Sequence, residues 1–227
     1  NRIAVDHLSE FLFTPTKNTK FNLISEKVHG QIFVTGNTVI DAIDIYSKIS
    51  KKKSKLSIPS TEFILSTLHR AENVDDRKTL SGILKGLINS NEKIIFPTHP
   101  RTKKRLYEFG FLNKLNENKN IQMIESVGYF EMLELMKNCS FIVTDSGGIQ
   151  EEATSPIIRK KVLVVRKTTD RPESVESQLA EIVGLKEKNI TNSIIKTSKN
   201  PELHSKKTPY GKGNASEKIL NILKKSF

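Results

Sequence analysis

From Thr144 to Glu152 the chain reads Thr-Asp-Ser-Gly-Gly-Ile-Gln-Glu-Glu, directly after the apolar run Phe141-Ile142-Val143. The run predicts a buried strand, and Ile149 to Ala153 predicts the start of a helix. Two adjacent glycines at such a junction let a ligand approach the backbone without meeting a Cβ. The helix start adds unpaired N–H groups and the positive end of the dipole, which together have the chemistry of a phosphate seat. The same pattern also describes a tight strand-to-helix turn, with Glu151 and Glu152 merely responding to the dipole. A glycine pair is a weaker signal than a full glycine fingerprint.

Alternating strands and helices must position this stretch. Phe11-Leu12-Phe13 and Gln31 to Val34 predict strands around a helix capped by Thr16, a parallel strand–helix–strand unit. Thr38 to Asp41 has a capping-box pattern and opens a helix with Ile40, Ile43 and Ile45. Lys48 to Ser60 is polar and basic and predicts an exposed linker. Phe63 to Thr67, Lys93 to Phe96, Ile121 to Ile124, Phe141 to Val143, Val162 to Val165 and Glu181 to Val183 predict further strands, the second halted by Pro97 and Pro100. Helical patterns fall between them, at Leu80 to Ile88, Leu106 to Phe109, Tyr129 to Met136 and Glu173 to Leu179, and another closes the chain at Ile219 to Leu223. The expected architecture is α/β, a doubly wound parallel sheet.

In such sheets ligands bind outside the carboxyl ends of the strands. His69 and Arg70, His99, Ser146-Gly147-Gly148, and Arg166 with Arg171 follow the first, second, fourth and fifth strands of the larger unit. These four loops at one edge would bring basic and N–H groups to an anion. Taken singly, His69 could cap a helix, Arg171 could pair with Asp170 or Glu173, and His99 could be plain surface.

The chain has 227 residues, 36% hydrophobic and 27% charged, with a net charge of +12. That fits one large globular domain or one domain with an attached piece. The densest basic run, Lys51-Lys52-Lys53-Ser54-Lys55, has no interleaved aromatics, so a solvated surface is expected there and a nucleic-acid partner is not. No apolar run approaches a membrane span. The lone Cys139 fits a reducing cytoplasm. No Cys/His cluster has zinc spacing, so neither a metal nor a cofactor is expected.

The segments Thr144 to Ala153, Val165-Arg166, Thr169 to Glu173, Thr35 to Ala42, His69 to Asn73, Pro97 to Pro100 and Pro209 to Gly213 together resemble the non-hydrolysing UDP-N-acetylglucosamine 2-epimerases. The likeness runs nearly end to end and is faintest from Lys186 to Lys207. It implies a GT-B-like fold of two Rossmann-like domains. Residues 1–37 would end the first, 38–60 would form a hinge helix and basic linker, and 61–227 would form the UDP-binding domain with its C-terminal helix. It implies interconversion of UDP-N-acetylglucosamine and UDP-N-acetylmannosamine, by loss of the C2 proton and of UDP through 2-acetamidoglucal. A UDP-sugar glycosyltransferase and a hydrolysing epimerase that releases N-acetylmannosamine are the alternatives.

The resemblance also implies roles. Ser146, Gly147, Gly148 and Arg171 would hold the diphosphate, and Glu152 the ribose. His69, the catalytic candidate, would meet the diphosphate as UDP leaves. Val127 and Met132 would lie on the uracil side, where the family often has Gln and Phe. Arg70 and His99 match positions near a regulatory UDP-N-acetylglucosamine site. The stretch from Thr154 to Lys161 is about two residues longer than the family pattern by this alignment, a change that loops tolerate, and it lacks the usual glycine turn. Asn1-Arg2 match the end of a Glu-Glu-Ala-Asn-Arg-type motif, so the carboxylates that move the proton are expected in an N-terminal domain outside this sequence. The expected partners are UDP-N-acetylglucosamine or UDP, that domain, and a second copy of the protein in a homodimer. The chain alone is expected to bind UDP weakly and not to epimerise.

Overall fold

The computed structural model describes residues 1–203 and 205–226. A small parallel pair comes first. Helix α1 (Arg2–Leu8) leads into β1 (Phe11–Thr14), α2 (Lys17–Ser25) and β2 (Gln31–Val34). The two strands pair in parallel from Phe11↔Gln31 to Thr14↔Val34. Thr16 caps α2 by accepting from the Thr19 N–H at 3.1 Å, as its position implies.

The next helix, α3 (Thr38–Lys53), departs from expectation at both ends. Its cap is Asn37, whose side chain accepts from the Val39 N–H at 3.0 Å, and not the Thr38 box. It also runs through Lys53, so Lys48 to Lys53 are helical and not linker. The reason is tertiary. Its buried face, Ile40, Ile43 and Ser50, packs on α8 (Tyr129–Asn138). Ser50 Oγ donates to the buried Glu134, which also pairs with Lys137 at 2.7 Å. Lys51, Lys52 and Lys53 then complement the negative end of the α3 dipole.

The remaining elements are β3 (Ile64–Thr67), α4 (Ala71–Val74), α5 (Arg77–Asn89), β4 (Ile94–Thr98), α6 (Pro100–Glu108), α7 (Leu112–Asn116), β5 (Ile121–Glu125), β6 (Ile142–Thr144), α9 (Gly147–Glu152), β7 (Val162–Val164), α10 (Pro172–Glu176), β8 (Ala180–Ile182), α11 (Glu187–Lys199) and α12 (Ala215–Ser226). The strands form a six-stranded parallel sheet in the order β5-β4-β3-β6-β7-β8. This is the doubly wound order, and it reverses between β3 and β6.

The four inner strands, β4, β3, β6 and β7, are buried on both faces, which is why they read as largely apolar runs. Successive side chains point to opposite faces. Ile64, Ile94, Val143 and Leu163 join one buried cluster with α5, Leu106 of α6, Leu115 of α7 and α11. Their neighbours Leu65, Ile95, Ile142 and Val162 join a second cluster with α3, α8 and Tyr210. Helix α5 contributes Leu80, Ile83, Leu84 and Leu87, each worth ~1.5–3 kcal/mol on full burial. That outweighs the cost of its interior Gly86, about 1 kcal/mol relative to alanine. Gly86 has a packing reason: a Cβ there would stand 2.8 Å from Ile190 of α11.

Pro97 does not halt β4 but lies inside it, opposite Ile124 of β5. Strand β3 pairs with β4 only at Ile94 and Ile95, so at Pro97 the ladder is one-sided. Four of the described helices were not anticipated: α1, α4, α7 and α11. Helix α10 ends at Glu176, short of the expected Leu179. In the stretch from Thr154 to Lys161 the missing glycine is replaced in function by Arg159, at φ 43°, with Lys160 N–H donating to Ala153 C=O at 3.1 Å.

Candidate functional site

The chemistry collects where the strand order reverses. Thr67 at the end of β3 and Thr144 at the end of β6 lie side by side in register, with their hydroxyls 2.7 Å apart. Asp145 follows with no solvent exposure. Its carboxylate accepts the backbone N–H groups of His69 at 3.1 Å and Arg70 at 3.0 Å, and Nδ2 of Asn73 at 3.1 Å. His69 Nδ1 stands 3.4 Å away. A carboxylate this deep is tolerable only because its oxygens are met by donors. The clasp fixes the turn after β3 against the turn after β6. Asn73 extends it by donating to the Val165 C=O at 2.9 Å.

Ser146 caps α9, its Oγ accepting from the Ile149 N–H at 3.4 Å, and its own N–H donates to Thr144 Oγ1 at 2.9 Å. Gly147 and Gly148 open the helix. Two guanidiniums flank Gly147: a Cβ there would stand 3.5 Å from Arg70 Nη2 and 3.7 Å from Arg171 Cζ. Asp170 accepts from Arg70 Nη2 at 2.9 Å and from Arg166 Nη1 at 3.0 Å. The Arg166 bond, followed by that of Arg70, holds the Asp170 carboxyl below its usual range against the opposing effect of burial. Arg171 caps α10 and turns its Nε onto Glu151. Thr169 steadies this loop, donating to Gln150 at 2.6 Å and accepting the Arg171 N–H at 3.1 Å.

The structure therefore brings His69, Arg70, Ser146, Gly147, Gly148 and Arg171 to one edge, together with Arg166. His99 joins them: its ring lies 5.7 Å from that of His69. Of the two histidines it is His99 that caps a helix, its Nδ1 accepting from the Arg101 N–H at 3.2 Å. Arg171 pairs with neither Asp170 nor Glu173 through its carboxylate but with Glu151. The Glu152 carboxylate makes no hydrogen bond or ion pair among the described residues. Burial, helped by neighbouring Glu151, pushes its carboxyl up to about 7. Its charge is felt by Tyr129, at the start of α8, whose phenol is raised to about 12 mainly by burial. Val127 and Met132 are half-buried against the α3–α8 layer on either side of Tyr129 in sequence, and no hydrogen bond ties them to the Ser146 turn.

The residues that hold the site together were not anticipated: Asp145, Asn73, Asp170 and Glu151. Asp145 carried a local signal, an acid directly after a fully buried strand. The partners of Glu151 carried none, because Asn37 is 114 residues away in sequence. Among the described residues no group of three or more His, Cys, Asp or Glu is placed to hold a metal ion. No described helix is long and apolar enough to cross a membrane.

A family model described as UDP-N-acetylglucosamine 2-epimerase matches residues 1–224. The chain belongs to that family. The epimerase of Methanocaldococcus jannaschii is 43% identical over 98% of this chain and 63% of its own length. That of Campylobacter jejuni is 37% identical over 98% of this chain and 62% of its own. A crystal structure of the M. jannaschii enzyme in complex with UDP-GlcNAc and UDP superimposes with a TM-score of 0.86, covering 99% of this chain and 64% of that one. The Neisseria meningitidis enzyme bound to UDP-GlcNAc follows with a TM-score of 0.82 at 33% identity, covering 99% of this chain and 64% of that one. The fold is thus the GT-B-like α/β fold of these epimerases, and the chain spans somewhat less than two thirds of the curated relatives it matches.

Proposed function

We propose that this chain is the UDP-binding half of a UDP-N-acetylglucosamine 2-epimerase. The observation that carries the proposal is the pair of guanidiniums, Arg70 and Arg171, converging on Gly147 at the switch point of the sheet. A diphosphate placed there would meet the N–H groups at the start of α9, the Ser146 hydroxyl and both arginines. Donors fixed in advance around developing charge are the strongest single device for stabilising a leaving anion. UDP leaves as such an anion when the glycosidic bond breaks, and it must be kept in place to add back.

In this reading Glu152, half-buried and with its carboxylate unpartnered among the described residues, accepts the ribose hydroxyls. Val127 and Met132 lie towards the uracil; a thioether packs on a base, though less rigidly than a phenyl ring. His69, held in place by Asp145, meets the diphosphate as the bond breaks. Arg70 and His99 also suit a second, regulatory nucleotide-sugar beside the first. Proton transfer at C2 is assigned to carboxylates from the part of the relatives that this chain does not match. Residues 1–37 then complete an N-terminal Rossmann-like domain, 38–60 form the hinge, and 61–227 hold UDP. The whole enzyme works as a cytoplasmic homodimer, interconverting UDP-N-acetylglucosamine and UDP-N-acetylmannosamine.

Titration calorimetry with UDP, followed by product analysis with UDP-N-acetylglucosamine, tests this. The expected result is weak UDP binding without turnover by the chain alone, and a UDP-sugar epimer once the N-terminal part is supplied. A free sugar or a transferred sugar as product would overturn the epimerase reading. Turnover by the chain alone would overturn the division of labour.

A further inference from the structure

Glu151 stands next to the proposed ribose ligand, but its two oxygens are engaged elsewhere. It is buried, 8% exposed. One oxygen pairs with Arg171 Nε, and the other accepts Asn37 Nδ2 at 2.7 Å. Burial raises the Glu151 carboxyl, and the Arg171 charge works against that rise. Asn37 is itself immobilised. Its Oδ1 caps α3 through the Val39 N–H, and its backbone N–H donates to the Tyr210 C=O at 2.8 Å. Tyr210, 1% exposed, donates its hydroxyl to Glu173 at 3.2 Å. Glu173 belongs to α10, the helix that Arg171 caps, and its other oxygen accepts the Thr16 hydroxyl at 2.5 Å. A 350 Å³ cavity lies against this network, lined by Asn22, Asn37, Glu151, Arg171, Glu173 and Tyr210 among others.

The far end of the Arg171 guanidinium is the end that faces Gly147. Arginine is a long, rotamer-rich side chain, and its planar fork binds phosphate well only when its orientation is fixed. Glu151 supplies that orientation from the Nε side, Nη1 donates to the Asp170 C=O at 2.9 Å, and Nη2 is left towards the turn. We propose that Glu151 is a positioning residue for the diphosphate seat. It sets the Arg171 guanidinium, and Asn37 at the junction with the N-terminal strand pair sets Glu151. The inference rests on the UDP reading above. It adds that affinity for the phosphates, not for the nucleoside, is controlled from the hinge end of α3.

A buried ion pair with a purely structural role would give different results, because it would affect every ligand alike. The experiment is an NMR titration of this chain with UDP and, separately, with uridine. The unmodified chain is compared with Glu151→Gln, Arg171→Met, their combination, and Asn37→Ser, with thermal melts alongside. Asn37→Ser keeps a capping hydroxyl for α3 but removes the donor to Glu151. It therefore tests the same link where Glu151→Gln fails to fold. Glu151→Gln should weaken UDP binding about tenfold, in line with loss of a fixed charge-assisted contact. Uridine binding should stay within about twofold, and Glu151→Gln should cost little more in the Arg171→Met background, as for coupled residues. Asn37→Ser should weaken UDP selectively as well. UDP binding that survives Glu151→Gln and Asn37→Ser, or an equal loss for UDP and uridine, overturns the positioning role alone. Absence of UDP binding by the unmodified chain overturns the UDP reading and this inference with it.

Discussion

The buried Asp145 carboxylate accepts the backbone N–H of Arg70 at 3.0 Å, joining the turns that follow β3 and β6 across the reversal in strand order. The same carboxylate takes the His69 N–H and the Asn73 amide, so one side chain sets the geometry of the whole edge. Asp145→Asn is isosteric but turns an NH2 group towards donors. Its expected cost is ~2–3 kcal/mol, a fall in Tm of roughly 5–10 °C for a chain of this size. UDP affinity should fall with it. A melt within a degree or two of the unmodified chain would show that the clasp is dispensable.

Two glycines should respond to alanine in opposite ways. Gly147 has no positive φ, and a Cβ there meets only side-chain ends, at 3.5 Å and beyond. Gly147→Ala should leave Tm unchanged or slightly raised, since alanine favours helix. UDP binding should nevertheless drop at least about tenfold, as the added methyl occupies the space where backbone and ligand approach. Gly86→Ala drives a Cβ to 2.8 Å from Ile190 and should cost ~1–3 kcal/mol while leaving UDP affinity intact. Melts and UDP titrations of both variants check the pair.

Glu152 gives a pH dependence with a definite sign. Its folded carboxyl is raised to about 7 from 4.5 by burial, with Glu151 adding to the rise. A raised carboxyl favours the folded state at low pH, and that contribution is lost as pH climbs from about 4.5 through about 7. Glu152→Gln should therefore raise Tm relative to the unmodified chain at pH 8 and change it little at pH 5. Ribose hydroxyls donate to the charged form, so UDP should bind more tightly at pH 8 than at pH 5.5 and release a proton on binding. Calorimetry in buffers of different ionisation enthalpy measures that proton directly.

Tyr210 straps the C-terminal segment to Asn37 and to Glu173 of α10. Tyr210→Phe removes one bond to Glu173 and should cost ~1 kcal/mol. Tyr210→Ala also empties a buried aromatic site and should cost ~3–5 kcal/mol. Denaturant melts of the two variants separate the hydroxyl from the ring. Equal losses would mean that the hydrogen bond, and not the packing, holds the tail.

Much of the fold was legible because the four inner strands of the large sheet are buried on both faces and read as short, largely apolar runs between turn residues. Phe141 to Val143 and Val162 to Val165 are clear cases. Where the reading failed, an outside contact overrode local pattern. Lys48 to Lys53 looks like linker, yet it is helical because Ser50 is buried against Glu134. Pro97 looks like a stop, yet the strand continues because only β5 pairs with it there. Helix α11 has Ile190 and Ile194 one turn apart, a usable signal hidden among polar residues.

The sequence by itself determined the alternation of strand and helix, and with it the edge at which His69, Arg70, His99, Ser146 and Arg171 must emerge. It also carried the family, through motifs long enough to be recognised in order. Which groups pair at that edge was decided only by tertiary structure. Whether Arg171 meets Asp170, Glu173 or Glu151 is a matter of ångströms between residues far apart in the chain, and periodicity does not encode it. The engagement of Glu151 by Asn37, and the isolation of the Glu152 side chain one residue later, follow from the way α9 packs beside α3. Adjacent residues on a helix point about 100° apart, so neighbours of identical chemistry enter different surroundings.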